Sequence, residues 1–388
     1  MAHPPPARIP GHRWFFPAAT LYAIVVLPAS VAAMLGALAF APGLASPGGH
    51  AHEMLFGFAL AVVAGNQLGP RTRRTLALLV AAWLVARVAF VFAPGSALAV
   101  ATNALFPALL AWQVAPRLIG SAKKWRNQAL PAALLAICAS AVALTVSLAL
   151  QHASRALVDV AVALFALLLL FMGGRLIAPT VAGQLYRQGG NLDARVQPRI
   201  EGALIVAMAS AIAVLALEAS LPTTRAVRGA SGALLVVAGA LAAIRLSRWQ
   251  LWRVRRRPDL WSMGAGYAWL AVGLAFFGLT HAGLAGGDAG ETLAIHVITI
   301  GSLGTLTLNV MAMTRLLTLR RAPPTSPLAL AGTLLLATAL LLRVLAGTTQ
   351  TVMLAAAAAC WSGAYALLLV VLLTGKRGPP LRARKAAE

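Results

Sequence analysis

Twelve long apolar runs constrain the fold of this chain more than any other feature of its sequence. A helix needs about 20 residues to cross the ~30 Å hydrocarbon core of a membrane, and each run is close to that length. The runs cover residues 17–40, 50–68, 75–92, 96–114, 128–150, 156–177, 200–220, 229–244, 261–281, 292–314, 327–347 and 351–374. The sequence therefore predicts an all-α, polytopic integral membrane protein with twelve transmembrane helices.

The composition agrees with a chain that lies in lipid. Hydrophobic residues make up 60% of the sequence and charged residues 11%, with a mean hydropathy of +0.83, which excludes an ordinary soluble fold. The two cysteines, Cys138 and Cys360, lie inside apolar runs and form neither a disulfide framework nor a paired-cysteine metal motif. We expect both to be small buried hydrophobic side chains.

The positions of the basic residues test the number of spans. With twelve spans and both termini in the cytoplasm, 27 of the 32 lysines and arginines fall in cytoplasmic segments and 3 fall outside, while Arg87 and Arg343 lie within spans. This asymmetry follows the positive-inside rule, and a missing or additional helix would scramble it. Topology and anionic lipid headgroups therefore account for the net charge of +23, and no nucleic-acid binding is expected.

The predicted organisation is one transmembrane domain over residues 17–374. A Pro-rich cytoplasmic tail precedes it at 1–16, and a basic cytoplasmic tail follows it at 375–388. The composition of both tails is typical of disorder. The sequence contains no Gly-rich phosphate loop or nucleophile triad, so a nucleotide-driven pump is not expected.

Four of the seven histidines fall at the outer ends of spans in this topology. They are His50, His52, His281 and His296. Polar residues inside spans are costly unless they have partners, so these positions are candidates for function. Imidazole binds iron, copper and zinc alike, but hydrogen-bonded histidines at the membrane interface would give the same pattern.

The second span begins His50-Ala51-His52-Glu53-Met54, which offers several metal-binding groups in one turn. On an α-helical wheel, four residues share a common face and His52 points away from that face. The four residues are His50, Glu53, Met54 and Gly57. These residues could bind a metal, with the Met54 sulfur favouring Cu(I). Alternatively, Glu53 could fix the tautomer of a histidine.

His296 lies near the start of the tenth span, in a helix otherwise rich in small and hydroxyl residues. A rise of 1.5 Å per residue places it roughly 7 Å below the start of the span. A ligand role and a packing role both fit this position. Gly301 and Gly304 would let a neighbouring helix, or a flat cofactor, approach the backbone, and helix packing is the simpler expectation.

The run from His50 to Gly65, HAHEMLFGFALAVVAG, resembles the hallmark of the NnrS family. The likeness continues in the order and spacing of that family through the following segments: WRN (125–127), GGRLI (173–177), GYAWL (266–270) and HVITIGSLGTLTL (296–308). It covers nearly the whole chain. The resemblance implies a twelve-helix protein of the bacterial inner membrane that contains haem and copper and acts in the nitric oxide response, nitrosative-stress protection and denitrification.

Carried over by position, the resemblance implies that haem or copper is bound among His50, His52, Glu53 and His296. Met54 adds a thioether to this set. Which residue would bind which metal does not follow from the sequence.

The sequence departs from the family pattern after Gly65 and after Leu308. In an ungapped comparison, Thr318 stands where the family has a histidine. Both departures lie toward the cytoplasm in the predicted topology. A cytoplasmic site of the family would therefore be affected, whereas the outer histidines are intact.

The sequence thus predicts a protein that binds haem or copper through outer-leaflet histidines and serves nitric oxide resistance. Binding or sensing is favoured over turnover because no chain of acidic residues leads in from the cytoplasm, although catalysis stays an open question. The expected partners are membrane lipid and nitric oxide or a derived small molecule, and the sequence identifies no protein partner. Two alternatives are a twelve-helix secondary transporter of a small solute, for which no six-plus-six repeat is evident, and a metal-holding assembly partner without catalysis.

Overall fold

The computed structural model of the chain describes residues 8–152, 155–323, 326–347 and 350–374. The predicted disorder at 375–388 and at 1–7 falls outside the described residues. For residues 8–16, the rest of the predicted N-terminal tail, the prediction of disorder was wrong, because they form a short strand and the start of the first helix. Within these ranges, eleven helical segments are long and apolar enough to cross a membrane, judged by length and composition. The prediction of an all-α, polytopic membrane protein is confirmed.

Most of the spans are simple α-helices with bounds close to those predicted. They are α1 (His12–Met34), α4 (Arg73–Phe92), α5 (Ala97–Ser121), α6 (Ala129–Ala149), α7 (Arg155–Arg187), α8 (Pro198–Ser220), α9 (Arg225–Ser247), α10 (Pro258–His281), α13 (Pro327–Ala346) and α14 (Thr351–Leu373). The largest difference is α7, which continues to Arg187 rather than ending at 177. Hydropathy detects the part of a helix that suits hydrocarbon, and a more polar extension beyond it gives no such signal.

The second and tenth predicted spans are not uniform α-helices. In the second, α2 (Pro47–His52) passes into a π-helix at Glu53–Ala59 and then into α3 (Leu60–Gln67). In the tenth, α11 (Gly287–His296) passes into a π-helix at Val297–Gly304 and then into α12 (Thr305–Thr318). Backbone hydrogen bonds in a π-helix join residues five apart, so a wheel of 3.6 residues per turn does not describe these segments.

A two-stranded antiparallel sheet links the start of the described chain to the segment after α3. Strand β1 (Arg8–Pro10) pairs with β2 (Pro70–Thr72), with Ile9 opposite Arg71. Gly69, just before β2, has a left-handed φ of +63°, a conformation that favours glycine. Strands of three residues are too short to show a hydrophobic period, which explains why the sequence did not predict them.

Contacts between Cα atoms divide the chain into two compact units. The first comprises residues 1–168 and 209–228, and the second comprises 169–208 and 229–388. One π-helix lies in each unit. The single domain predicted over 17–374 stays a prediction.

Candidate functional site

A buried polar network surrounds Glu53 at the start of the π-helix of the first unit. Its Oε1 atom accepts a hydrogen bond from Arg87 Nη1 at 2.6 Å and lies 2.8 Å from His52 Nδ1. Its Oε2 atom accepts a hydrogen bond from the Tyr22 hydroxyl, and Arg87 also donates to Asn103 Oδ1. Glu53 and His52 are fully buried and Arg87 is 3% exposed. Three donors therefore converge on one carboxylate and offset the cost of burying it.

His52 has a hydrogen-bonding partner at each ring nitrogen. While Nδ1 faces Glu53, Nε2 lies 2.8 Å from Thr145 Oγ1 on α6. The imidazole also stacks on the Phe90 ring, with centroids 3.9 Å apart. A metal bound to His52 would have to replace one of these hydrogen bonds. The contacts therefore fit the interpretation in which Glu53 orients a histidine.

Gly57 provides the space that this network occupies. A β-carbon at position 57 would lie 2.7 Å from Tyr22 Cε1, 3.1 Å from Glu53 Oε2 and 3.2 Å from Arg87 Nη1. The Gly57 carbonyl also accepts a hydrogen bond from Trp83 Nε1 at 2.9 Å. Any side chain at this position would push the network apart.

The other predicted ligands of the second span have different surroundings. His50 is partly exposed, and its Nδ1 atom lies 3.0 Å from Ser30 Oγ on α1. Met54 is also partly exposed. In the part of the chain that the structure describes, His50, His52 and Glu53 do not bring three ligand atoms within 4.8 Å of one another. The structure thus brings the side chains of His52 and Glu53 together, and His50 does not join them.

In the second unit, His296 is the last residue of α11 and directly precedes the π-helix. Its Nδ1 atom lies 2.7 Å from the carbonyl oxygen of Thr292, one turn earlier. A carbonyl oxygen only accepts hydrogen bonds, so Nδ1 carries the proton and the lone pair of the neutral ring is on Nε2. A histidine that binds a metal through Nε2 is commonly held in this way.

A second oriented histidine lies in the same unit. His281, the last residue of α10, places Nδ1 at 2.5 Å from Glu291 Oε1 on α11, and both residues are 5% exposed. The sequence predicts His281 at the outer end of a span but not as a ligand, and Glu291 is not among the predicted site residues. The sequence does contain a signal for this pair, because an acidic residue lies at the start of one span and a histidine lies at the end of the span before it.

Neighbouring side chains cover the small residues of the tenth span. A β-carbon on Gly301 would lie 2.9 Å from Trp269 Cγ and 3.0 Å from Leu340 Cδ2, and one on Gly304 would lie 2.9 Å from Trp361 Cζ3. These three side chains come from α10, α13 and α14. The glycines therefore serve helix packing, as the simpler of the two expectations had it.

The two π-helices share a local pattern. Each begins directly after a histidine, carries a glycine five residues beyond it, and receives an aromatic side chain from the preceding span at that glycine. The corresponding residues are His52 and His296, Gly57 and Gly301, and Tyr22 and Trp269. π-Helical segments are rare in proteins, and those that occur are often found at functional sites. These two positions are therefore the candidate sites of the chain.

The fold and these sites define an α-helical, multi-pass membrane protein with a histidine-flanked π-helix in each unit and a buried polar network at that of the first. The chain belongs to the NnrS protein family, whose sequence model matches residues 9–375, nearly the whole chain. This match confirms the resemblance found in the motifs, and membership supports a membrane protein of the nitric oxide response. No curated protein matches the chain.

Proposed function

We propose that this protein binds haem or copper through histidines at the outer side of the bacterial inner membrane. There it acts in the response to nitric oxide, in nitrosative-stress protection and in denitrification. The observation that supports the proposal is the hydrogen bond of 2.7 Å from His296 Nδ1 to the Thr292 carbonyl, which fixes the tautomer in which the lone pair of the neutral ring is on Nε2. We propose binding or sensing of nitric oxide as its activity.

The residues of the second unit fit such a group by their donor chemistry. An imidazole held at Nδ1 by a backbone carbonyl is an ordinary axial ligand of haem iron and also suits copper. His296 would hold the metal, and the Thr292 carbonyl would fix the ring in the required tautomer. Haem or copper held by His296 would supply a coordination site for nitric oxide.

The first unit offers a second set of candidates in His50, His52 and Met54. His52 is bonded at both ring nitrogens, so metal binding there requires the contact with Thr145 to open. The buried network instead suits a supporting role, in which Arg87 and Glu53 keep this end of the second span in one arrangement. We propose His296, whose tautomer the Thr292 carbonyl fixes, as the principal metal ligand.

Metal content and absorption spectra of detergent-purified protein test the proposal. After expression with ample haem and copper, the wild-type chain should contain haem or copper and its spectrum should change when nitric oxide is added. His296→Ala should lose that metal. His152→Ala, which changes an exposed histidine outside both candidate sites, is the matched control and should retain it.

The outcomes discriminate between the two units. His52→Ala should keep the metal bound at His296, because its ring belongs to the first-unit network. Loss of metal with His52→Ala and not with His296→Ala would move the site to the first unit and contradict the proposal. If the wild-type protein contains no metal, its family membership indicates only its fold. That result would favour the transport or scaffolding alternatives.

A further inference from the structure

Two arginines of the first unit cross each other at the end that faces the cytoplasm in the predicted topology. Arg71 on β2 donates from Nε to Gln113 Oε1 at 3.1 Å and from Nη2 to the Gln113 carbonyl at 2.7 Å. Arg117 lies one turn after Gln113 on α5 and donates to the carbonyl of Gln67, the last residue of α3. The two side chains therefore connect α5 and the segment 67–71 in opposite directions.

The turn between α3 and β2 makes room for the Arg117 guanidinium. A β-carbon at Gly69 would lie 2.5 Å from Arg117 Nη1, and the left-handed φ of this residue also favours glycine. The Gly69 carbonyl accepts a hydrogen bond of 3.0 Å from the Gly11 amide, so the segment before α1 holds the turn in place. Backbone groups thus position Arg117 beside the strand that carries Arg71.

The first unit provides no acidic partner for these two arginines. It contains three acidic residues, Glu53, Asp159 and Glu218, and all three lie toward the outer side in the predicted topology. Among the described residues, neither Arg71 nor Arg117 forms an ion pair. The cations at this end of the unit therefore have to be neutralised by anions from outside it.

The like charges act on one another. Burial and the neighbouring Arg117 and Arg8 cations lower the pKa of Arg71 from its usual range. Arginine nevertheless keeps its charge in proteins, so the repulsion persists in the folded state. An anion bound between the guanidinium groups would relieve it.

The two arginines lie near the depth of lipid headgroups. The apolar run predicted for this span ends at 114, three residues before Arg117. Trp112 on α5 is 78% exposed, and exposed tryptophans near the ends of spans are typical of the membrane interface. Arg117 is exposed and Arg71 is partly exposed, so both can be reached by an anion in the headgroup layer.

We propose that Arg71 and Arg117 bind the phosphate of an anionic phospholipid in the cytoplasmic leaflet. A planar guanidinium matches phosphate oxygens with parallel hydrogen bonds, and two of them provide the charge that one phosphate group needs. Anionic lipids of this leaflet present phosphate at the required depth. Arg8, exposed on β1, adds a third cation nearby. The arginines form a discrete lipid site rather than part of a diffuse basic surface.

The test counts lipids bound to the full-length protein. Protein in an uncharged detergent is titrated with phosphatidylglycerol, which is anionic, or phosphatidylcholine, which is neutral overall, and native mass spectrometry counts the adducts. Wild type should bind the first phosphatidylglycerol about tenfold more tightly than phosphatidylcholine. Arg71→Gln combined with Arg117→Gln should lose this preference. Arg320→Gln combined with Arg321→Gln, which removes two exposed arginines after α12, is the matched control and should retain it.

Gln113→Glu tests the site without removing either arginine. Its carboxylate would keep the contacts between residue 113 and Arg71 and would supply the missing anion within the chain. The preference for phosphatidylglycerol should therefore fall, and the Tm in phosphatidylcholine should rise above that of wild type. An unchanged preference would overturn the proposal, whether or not the double arginine variant folds.

Two further results would contradict a discrete lipid site. Equal loss of preference in the two double variants would indicate a diffuse basic surface. Displacement of phosphatidylglycerol from wild type by millimolar inorganic phosphate would indicate that the arginines bind a soluble phosphate ion. The metal assay of His296→Ala is independent of these titrations, so failure of either proposal leaves the other standing.

Discussion

At the scale of single residues, the first unit depends on a charge pair of which neither member is tolerable alone. Glu53 is fully buried and Arg87 nearly so, with 2.6 Å between their charged atoms. A buried pair contributes modest net stability, but removal of one partner leaves an uncompensated charge. The sequence singled out both residues, one as a candidate ligand and one as an arginine inside a span. It could not pair them, because they are 34 positions apart and contact depends on helix packing.

Glu53→Gln should lower the free energy of unfolding by about 3–5 kcal/mol, because Arg87 would keep its charge without a carboxylate partner. The double variant Glu53→Gln with Arg87→Met should recover part of that loss, since it removes the unpaired charge. Denaturant unfolding in detergent micelles measures both values and that of the single variant Arg87→Met. Losses that simply add would contradict the coupling of the two residues.

Gly57→Ala should also destabilise the protein, by about 1–3 kcal/mol, because the added methyl group would meet Tyr22, Glu53 and Arg87. Gly183→Ala is its matched control, since a β-carbon at that helical glycine meets nothing within 4 Å. The control should be neutral or stabilising by up to about 1 kcal/mol. Thermal unfolding of the two variants gives the comparison, and equal behaviour would argue against a packed network at Gly57.

At the scale of elements, the sequence identified the spans but not the change of helix type within two of them. Hydropathy depends on residue type and is the same for an α-helix and a π-helix. The wheel that turned His52 away from Glu53 assumed 3.6 residues per turn, whereas the structure places His52 Nδ1 at 2.8 Å from Glu53 Oε1. Faces predicted for a span are therefore least dependable beside a π-helix, which is also where the candidate sites lie.

The predicted orientation of the elements can be tested by thiol labelling in a chain whose two native cysteines are replaced by alanine. Leu284→Cys, in the exposed segment between α10 and α11, should react with an impermeant reagent in spheroplasts. Lys124→Cys, in the exposed segment between α5 and α6, should react only after the membrane is opened. The reverse pattern would invert the topology and place His296 toward the cytoplasm.

At the scale of the whole molecule, the likeness between units relates the first four spans to the last four. Each set contains a π-helical second span, an aromatic residue from its first span and an arginine on its third. The transporter alternative required similarity between six-helix halves, so this pattern differs from the one it predicts. Sequence comparison alone missed it because the shared positions are few: a histidine, a glycine and an arginine–valine pair in each set.

The candidate sites show which residues a sequence can reveal. His50, His52, Glu53 and His296 were visible because ionisable groups are rare in apolar runs. Three further members of the first-unit network could not be identified from the sequence, because single hydroxyl and amide side chains are common in spans. Only helix packing brings these residues to Glu53 and its partners. They are Tyr22, Asn103 and Thr145.

The most direct test of the central claim is chemical rescue of His296→Gly by imidazole. If His296 is the metal ligand, the purified variant should have lost its haem or copper spectrum, and added imidazole should restore the metal, its spectrum and the response to nitric oxide. The Nδ1 bond to Thr292 predicts that 1-methylimidazole, which lacks that N–H, restores it less well. A variant that retains full metal content without imidazole would contradict the assignment of His296 as the ligand.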